Sequence, residues 1–293
     1  MNPAPSVIVF TVLSGLGFGF LAFLGAGILR PEGGAAFALW GLGYGLAVAG
    51  LVASGFHLGN PQRALLAFTQ WRSSWLSREA WAAVTTLLVL APMALSDWLG
   101  LGLPRAIGLA GAALCGVTVL CTAMIYAQIR AVPRWNHPLT PALFLTFALT
   151  GGAILALPGM IAAFLCLGLA ALLLVAFRIG DSQFARRGAT MGTATGLGGL
   201  GPVAVFELPH TGGNYLMREM IHVVGRKHAT RLRQIAVACA GLAPAAALVL
   251  LPATLAMPLA VMLHLIGAFA ARWLFFAEAE HVVGLYYGQR SAI

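Results

Sequence analysis

The chain has 293 residues, of which 60% are hydrophobic and only 9% charged, with a mean hydropathy of +0.90. Soluble domains carry about 25% charged residues, so too little charge is present to cover a water-facing surface, and the composition is that of an integral membrane protein. A net charge of +9, from 17 basic and 8 acidic residues, fits basic loops beside a membrane. No patch alternates basic and aromatic residues as a single-strand nucleic-acid binder does.

Taking roughly 20 apolar residues per span, the chain divides into eight: about 6–29, 35–56, 79–96, 106–128, 141–157, 159–177, 235–252 and 256–277. The predicted fold is an all-α bundle of eight transmembrane helices, one domain over 1–293, with short connections and one long polar loop at 178–233. The first run lacks a basic leader and is too long for a signal peptide, so it is read as a span. Gly15, Gly17 and Gly19 in the first span and Gly41, Gly43 and Gly45 in the second supply G-x-x-x-G pairs, a packing signal between helices in lipid. Cys115, Cys121, Cys166 and Cys239 all lie in apolar runs without C-x-x-C spacing. They read as small core residues, and the chain is expected to hold no iron–sulfur cluster or zinc of its own.

Basic residues are distributed unevenly between the two ends of such a bundle. On the N-terminal side lie Arg63, Arg72, Arg78, Arg130, Arg134, Arg178, Arg186, Arg187, Arg218, Arg226, Lys227, Arg231, Arg233 and Arg290, against Arg30 and Arg105 opposite. Fourteen against two places both termini and the long loop in the cytoplasm by the positive-inside rule. Residues 214–234 have the amphipathic spacing of a basic surface helix. Arg130, Arg134, Arg226, Lys227 and Arg231 are the candidates for docking a partner protein there. The GLGGLG stretch (196–201) matches a dinucleotide motif, but no strand precedes it, so it reads as a glycine-rich turn.

Ionisable groups at membrane depth are expensive and mark function. Few are available: His57 at the end of span two, Glu79 at the start of span three, His264 and Arg272 in span eight, and Glu278, Glu280 and His281 just beyond. Helices joined by a short connection usually pack together, so His57 and Glu79 are expected to converge near the cytoplasmic boundary. A carboxyl and an imidazole there suit a quinone, whose oxygens exchange protons near neutrality. The structural alternatives are a first-turn Glu79 facing the helix macrodipole with Ser77 as N-cap, an interfacial His57, and Trp71, Trp75 and Trp81 as belt residues. No two histidines in the spans sit at matching depth, so no b-type haem is expected. A transporter is the rival class, but the span centres carry almost no charge and no internal repeat is evident.

Five segments then carry a resemblance: HLGNPQRA (57–64), SSWLSREA (73–80), IYAQIRAVPRWNHPLTP (125–141), NYLMREMIHVVGRKHATRLR (214–233) and RWLFFAEAEHVVGLYYG (272–288). Along essentially its whole length the chain resembles the DMSO reductase anchor subunit family, which includes anchors of cytoplasmic sulfite dehydrogenase complexes. The resemblance implies a haem-free, metal-free membrane anchor in a bacterial inner membrane. It would hold a molybdopterin catalytic subunit and a four-cluster iron–sulfur subunit, and pass electrons between them and ubiquinone or menaquinone. It implies quinone roles for His57 and Glu79, with Arg63, Arg78 and Arg272 as further candidates at that site, as partners for the glutamate or for docking. Sulfite oxidation is the favoured partner chemistry, with S-oxide or N-oxide reduction next.

Overall fold

The computed structural model describes residues 3–56, 58–207 and 228–287. Among them, eight helices are long and apolar enough to cross a membrane. They are α1 (Pro5–Gly25), α2 (Gly33–Gly55), α3 (Trp75–Leu99), α4 (Arg105–Ala127), α5 (Leu139–Ala156), α6 (Gly159–Arg186), α7 (Ala229–Leu250) and α8 (Ala253–Ala277). No strand occurs among the described residues. Helix is the open-chain solution to a solvent that cannot hydrogen-bond peptide groups, and these apolar runs take it. Proline marks the starts: Pro104, Pro138, Pro158 and Pro252 stand just before α4, α5, α6 and α8, where a missing N–H costs no helical bond. Gly100, at φ 70°, closes α3 in the left-handed conformation.

All eight expected spans are present. The boundaries differ at the long connection, where α6 runs on to Arg186 and α7 begins at Ala229. The connection between helices is therefore 187–228, shorter at both ends than 178–233. Once outside lipid, a helix needs no apolar residues to continue, and the arginines and glutamines there are good helix formers. Most of the surface helix expected over 214–234 lies outside the described residues; Ala229–Gln234 is the first part of α7. The GLGGLG stretch forms a short 3₁₀ turn at Gly198–Leu200.

Helix α1 is the axis of the bundle: α2, α4, α5 and α8 all pack on it. Small residues set that approach. There is no room for a Cβ at Gly17, which abuts the Ala47 backbone, or at Gly19, which abuts Ala148. On α2, however, the seam runs through Gly43, Ala47 and Gly50, whereas Gly41 and Gly45 face open space. Outside the axis, α3 closes on α2 and α4, α6 packs on α5 and α7, and α7 packs on α8.

Two local features shape the interior. Ala238–Leu242 forms a π turn within α7, and Gly267 of α8 lies directly against Ala240 there. At the N-terminal end of the bundle, Tyr126, Trp135, Phe144, Phe275 and Phe276 form one aromatic cluster, with Trp135 stacked on Phe275 at 5.1 Å. The Trp135 indole N–H donates to the Phe275 carbonyl (2.8 Å), which fixes the α4–α5 connection to α8.

Candidate functional site

Glu79 is 5% exposed and points from α3 at α4. The Thr122 hydroxyl meets its Oε1 at 2.5 Å and also reaches the Thr118 carbonyl at 3.1 Å. A hydroxyl has one proton and two lone pairs. Turned to Glu79, it donates to a carboxylate; turned to Thr118, it accepts from a protonated carboxyl. The pair therefore keeps its hydrogen bond in either protonation state, which is what a proton-exchanging carboxyl at membrane depth requires.

The capping alternative for this acid does not hold. Helix α3 begins at Trp75, so Glu79 lies beyond its first turn, and the N-cap is Ser74 without a side-chain cap bond. Ser77 sits inside the helix, 1% exposed, and among the described residues its hydroxyl has no hydrogen-bond partner.

Thr122 also lines a narrow cavity of about 20 Å³ together with Thr11, Ser14, Phe147, His264 and Arg272. At about 10–15 Å³ per water, that is room for one water or two and not for a ring. The His264 Nδ1 lies 3.0 Å from the Ala240 carbonyl. A carbonyl only accepts, so Nδ1 carries the proton there, and the π turn supplies that carbonyl; the His264 ring also lies 5.9 Å from the Phe147 ring.

Arg272 is 5% exposed. Its guanidinium lies 3.4 Å from the Phe144 ring centroid and 5.3 Å from that of Phe147. Beyond it opens a second cavity of about 60 Å³ between α5, α6 and α8, walled by Phe147, Phe177 and Phe275, with Thr140, His137 and Gln183 among its polar residues. Burial, and then the charge of Arg186, hold the His137 imidazole below its ordinary value. Its Nδ1 accepts the Leu139 N–H at the start of α5 (3.1 Å).

Around the same end runs a closed ring of charges. Arg134 bonds Asp181 (3.0 Å) and Glu278 (2.6 Å), and Arg233 bonds the same two acids (2.5 and 2.6 Å). At the opposite end, Asp97 holds Arg105 (2.9 Å) and the Trp40 indole N–H (3.1 Å). Among the described residues no group of three His, Cys, Asp or Glu side chains is placed to hold a metal.

The residues expected to form the site are thus distributed as follows. Glu79 and Arg272 both face the bundle interior. Neither Arg63, Arg78 nor Arg272 pairs with Glu79. Arg63 is exposed on the 3₁₀ turn Pro61–Phe68. Arg78, one residue from Glu79 and so about 100° around the helix, donates to the Trp71 and Arg72 carbonyls and stacks on Trp75. His57, Arg226 and Lys227 lie outside the described residues. Arg130 and Arg231 are exposed, as docking residues must be, whereas the Arg134 charge turns inward to Asp181 and Glu278. Thr122 carried no sequence signal, being one threonine in an apolar helix.

The geometry is that of a polyhelical membrane bundle with buried polar groups at its basic end. The DMSO reductase anchor subunit (DmsC) family matches residues 1–176. The chain belongs to the DMSO reductase anchor subunit family. Family membership makes it a multi-pass membrane anchor of an oxidoreductase complex. Among curated relatives, it is similar to a sulfite dehydrogenase subunit from Allochromatium vinosum, with 30% identity over an alignment covering 98% of this chain and 99% of the relative. No solved structure matches. The family match takes in Glu79, Thr122 and Arg134; Arg272, Arg233 and Glu278 lie beyond it, within the span shared with the relative.

Proposed function

We propose that this anchor is the quinone-reactive subunit of a molybdopterin oxidoreductase. In this reading the 293 residues form one haem-free, metal-free domain in a bacterial inner membrane, with both termini at the cytoplasmic face. A catalytic subunit and a four-cluster iron–sulfur subunit dock on the basic end, against Arg130, Arg231 and the neighbouring Arg226 and Lys227. The partner chemistry is sulfite oxidation, in keeping with the full-length similarity to a sulfite dehydrogenase subunit; S-oxide or N-oxide reduction is next.

The observation that carries the quinone reading is the Glu79–Thr122 pair, a buried carboxyl that keeps its partner whether ionised or protonated. Quinone supplies two-electron, two-proton chemistry when bound. The chain's own residues hold and move the protons: Glu79 at its Oε1, with Thr122 as its fixed partner, and His57, which ends the second span. Because the basic end serves both the partner and the protons, turnover moves no net charge across the bilayer.

The test begins with the intact complex purified through a tag on this chain. A molybdenum and iron–sulfur partner is expected, and recovery of the chain alone overturns the reading. In that complex, Glu79→Gln and His57→Ala should lower quinone-linked turnover about 100-fold, the usual weight of a positioned acid–base group. Dye-linked activity of the catalytic head should be unchanged. Loss of both activities together would make the residues structural.

A further inference from the structure

His264 stands at the middle of α8, 3% exposed, and has no part in the proton exchange proposed for Glu79 and His57. An ionisable group at that depth is costly and marks function. The backbone around it is specialised. Its Nδ1 faces the Ala240 carbonyl of the π turn at 3.0 Å, and such turns are frequent at functional sites. The backbone of Phe147 on α5 also hydrogen-bonds the ring. Glycines leave the ring its room: a Cβ on Gly267 would strike the Ala240 backbone, and one on Gly151 would come within 3.2 Å of Nε2. With Nδ1 committed to Ala240, a second proton belongs on Nε2.

His264 also lines the cavity of about 20 Å³, with Thr11, Ser14, Thr122 and Arg272. The lone pairs decide what fits there. Thr11 and Ser14 give their hydroxyl protons to carbonyls of their own helix, at 3.0 and 2.6 Å. Thr122 gives its own to Glu79 when that acid is ionised. These oxygens, and Nε2 of a neutral His264, offer the cavity only lone pairs, whereas Arg272 offers only donors. An occupant must therefore both donate and accept, within the space of one water or two. Water itself meets both demands. Among the described residues that line the cavity, Arg272 is the only other ionisable side chain. Its own neighbours are Tyr126 and the Phe144 and Phe147 rings. The lining residues from α1, α4 and α5 are not titratable, and α7 contributes the Ala240 carbonyl.

We propose that this cavity is a water site, and that through its water His264 is a second proton-holding group of the anchor, linked to Glu79 by Thr122. The inference rests on the quinone reading above and deepens its proton chemistry. One proton moves and no electron does. As Thr122 passes its hydroxyl proton to the Glu79 Oε1, it takes one from the water. The water takes its replacement from Nε2 of the imidazolium, which is left as neutral imidazole. The reverse sequence returns the proton. Glu79 does not line the cavity, and Thr122 is its contact with it.

The intact complex supplies the test. A cryo-EM map that resolves ordered solvent should contain a water within hydrogen-bond reach of Thr122 Oγ1 and His264 Nε2; a dry cavity overturns the inference. His264→Asn keeps a donor at the δ position but cannot take a second proton. It should lower quinone-linked turnover about tenfold, less than a direct acid–base group loses, and the pH profile should lose one of its two limbs. An equal loss at every pH, with both limbs kept, would make His264 structural and overturn the inference. Ala268→Val, one turn along α8, fills the cavity without altering an ionisable group. It should give the same altered profile, and it carries the test if His264→Asn fails to assemble. An unchanged profile in Ala268→Val overturns the water route. Dye-linked activity of the head should be kept in both variants. If the wild-type complex does not turn over with quinone, the quinone reading itself fails. If Glu79→Gln slows turnover and His264→Asn does not, only the His264 relay fails.

Discussion

Arg272 and Glu278 stand six residues apart on the last helix and its C-cap, both about 5% exposed, in opposite electrostatic conditions. Glu278 is held by two arginines, each shared with Asp181, so four charges from four chain segments cancel within one ring. Arg272 has aromatic rings around it and cavities on either side. The difference separates two uses of a buried charge. A paired charge is satisfied by folding alone and is part of the frame. A charge that meets no opposite charge among the described residues, as Arg272, is not satisfied by ion pairing on folding.

Four measurements test that division, beginning with the largest effect. Glu278→Ala leaves Arg134 and Arg233 sharing the half-exposed Asp181. It should cost about 3 kcal/mol, the usual penalty for removing one partner of a buried pair, read as a lower melting temperature of the purified complex. A silent Glu278→Ala would erase the distinction between frame and site. Thr122→Val removes the hydroxyl partner of Glu79. It should lower quinone-linked turnover about tenfold, the weight of one hydrogen bond to a charged group, with near-unchanged thermal stability. Thr122→Ser should restore turnover; equal losses in Val and Ser variants would point to packing. Asp181→Asn weakens the exposed half of the same ring and should cost only about 1 kcal/mol, with turnover kept. A larger loss than for Glu278→Ala would invert the assignment of the ring's buried half.

The smallest effect is a pH dependence. Burial, and then Arg186, lower the His137 pKa from 6.5, and its Nδ1 lone pair accepts the first N–H of α5. The unfolded chain therefore binds the proton more readily. The stabilisation is present above about pH 6.5 and is lost as pH falls through the lowered folded value. The melting-temperature difference between wild type and His137→Ala should shrink on acidification across that window. A gap that widens there would mean the imidazole is charged in the folded protein.

Much of the fold was legible because lipid forces a simple rule: long apolar runs must be helices. The same rule is silent outside the membrane, so the extension of α6 to Arg186 and the start of α7 at Ala229 were not readable from hydropathy. The π turn at Ala238–Leu242 leaves no compositional trace either, since its sequence, ACAGL, is ordinary for a membrane helix, where glycine is common. At the site, Glu79 and Arg272 stood out because charge at membrane depth is rare. Thr122 did not, since a threonine bonded to its own helix is common in apolar spans. The ring of Arg134, Asp181, Arg233 and Glu278 was hidden for a different reason. Its members are scattered from residue 134 to residue 278, and only packing brings them together. Arg134, expected to dock a partner, is for that reason turned inward.

Asp181 lies near the end of α6 and Arg233 near the start of α7, and they bond at 2.5 Å. The chain between them is therefore a closed loop whose two ends are stapled at one point on the bundle. The entropy of bringing those ends together, which grows only slowly with loop length, is already spent in the folded anchor. The two ends of that loop thus share one fixed base on the bundle. That base abuts the α5–α6–α8 cleft, since Arg134 and Glu278 belong to both.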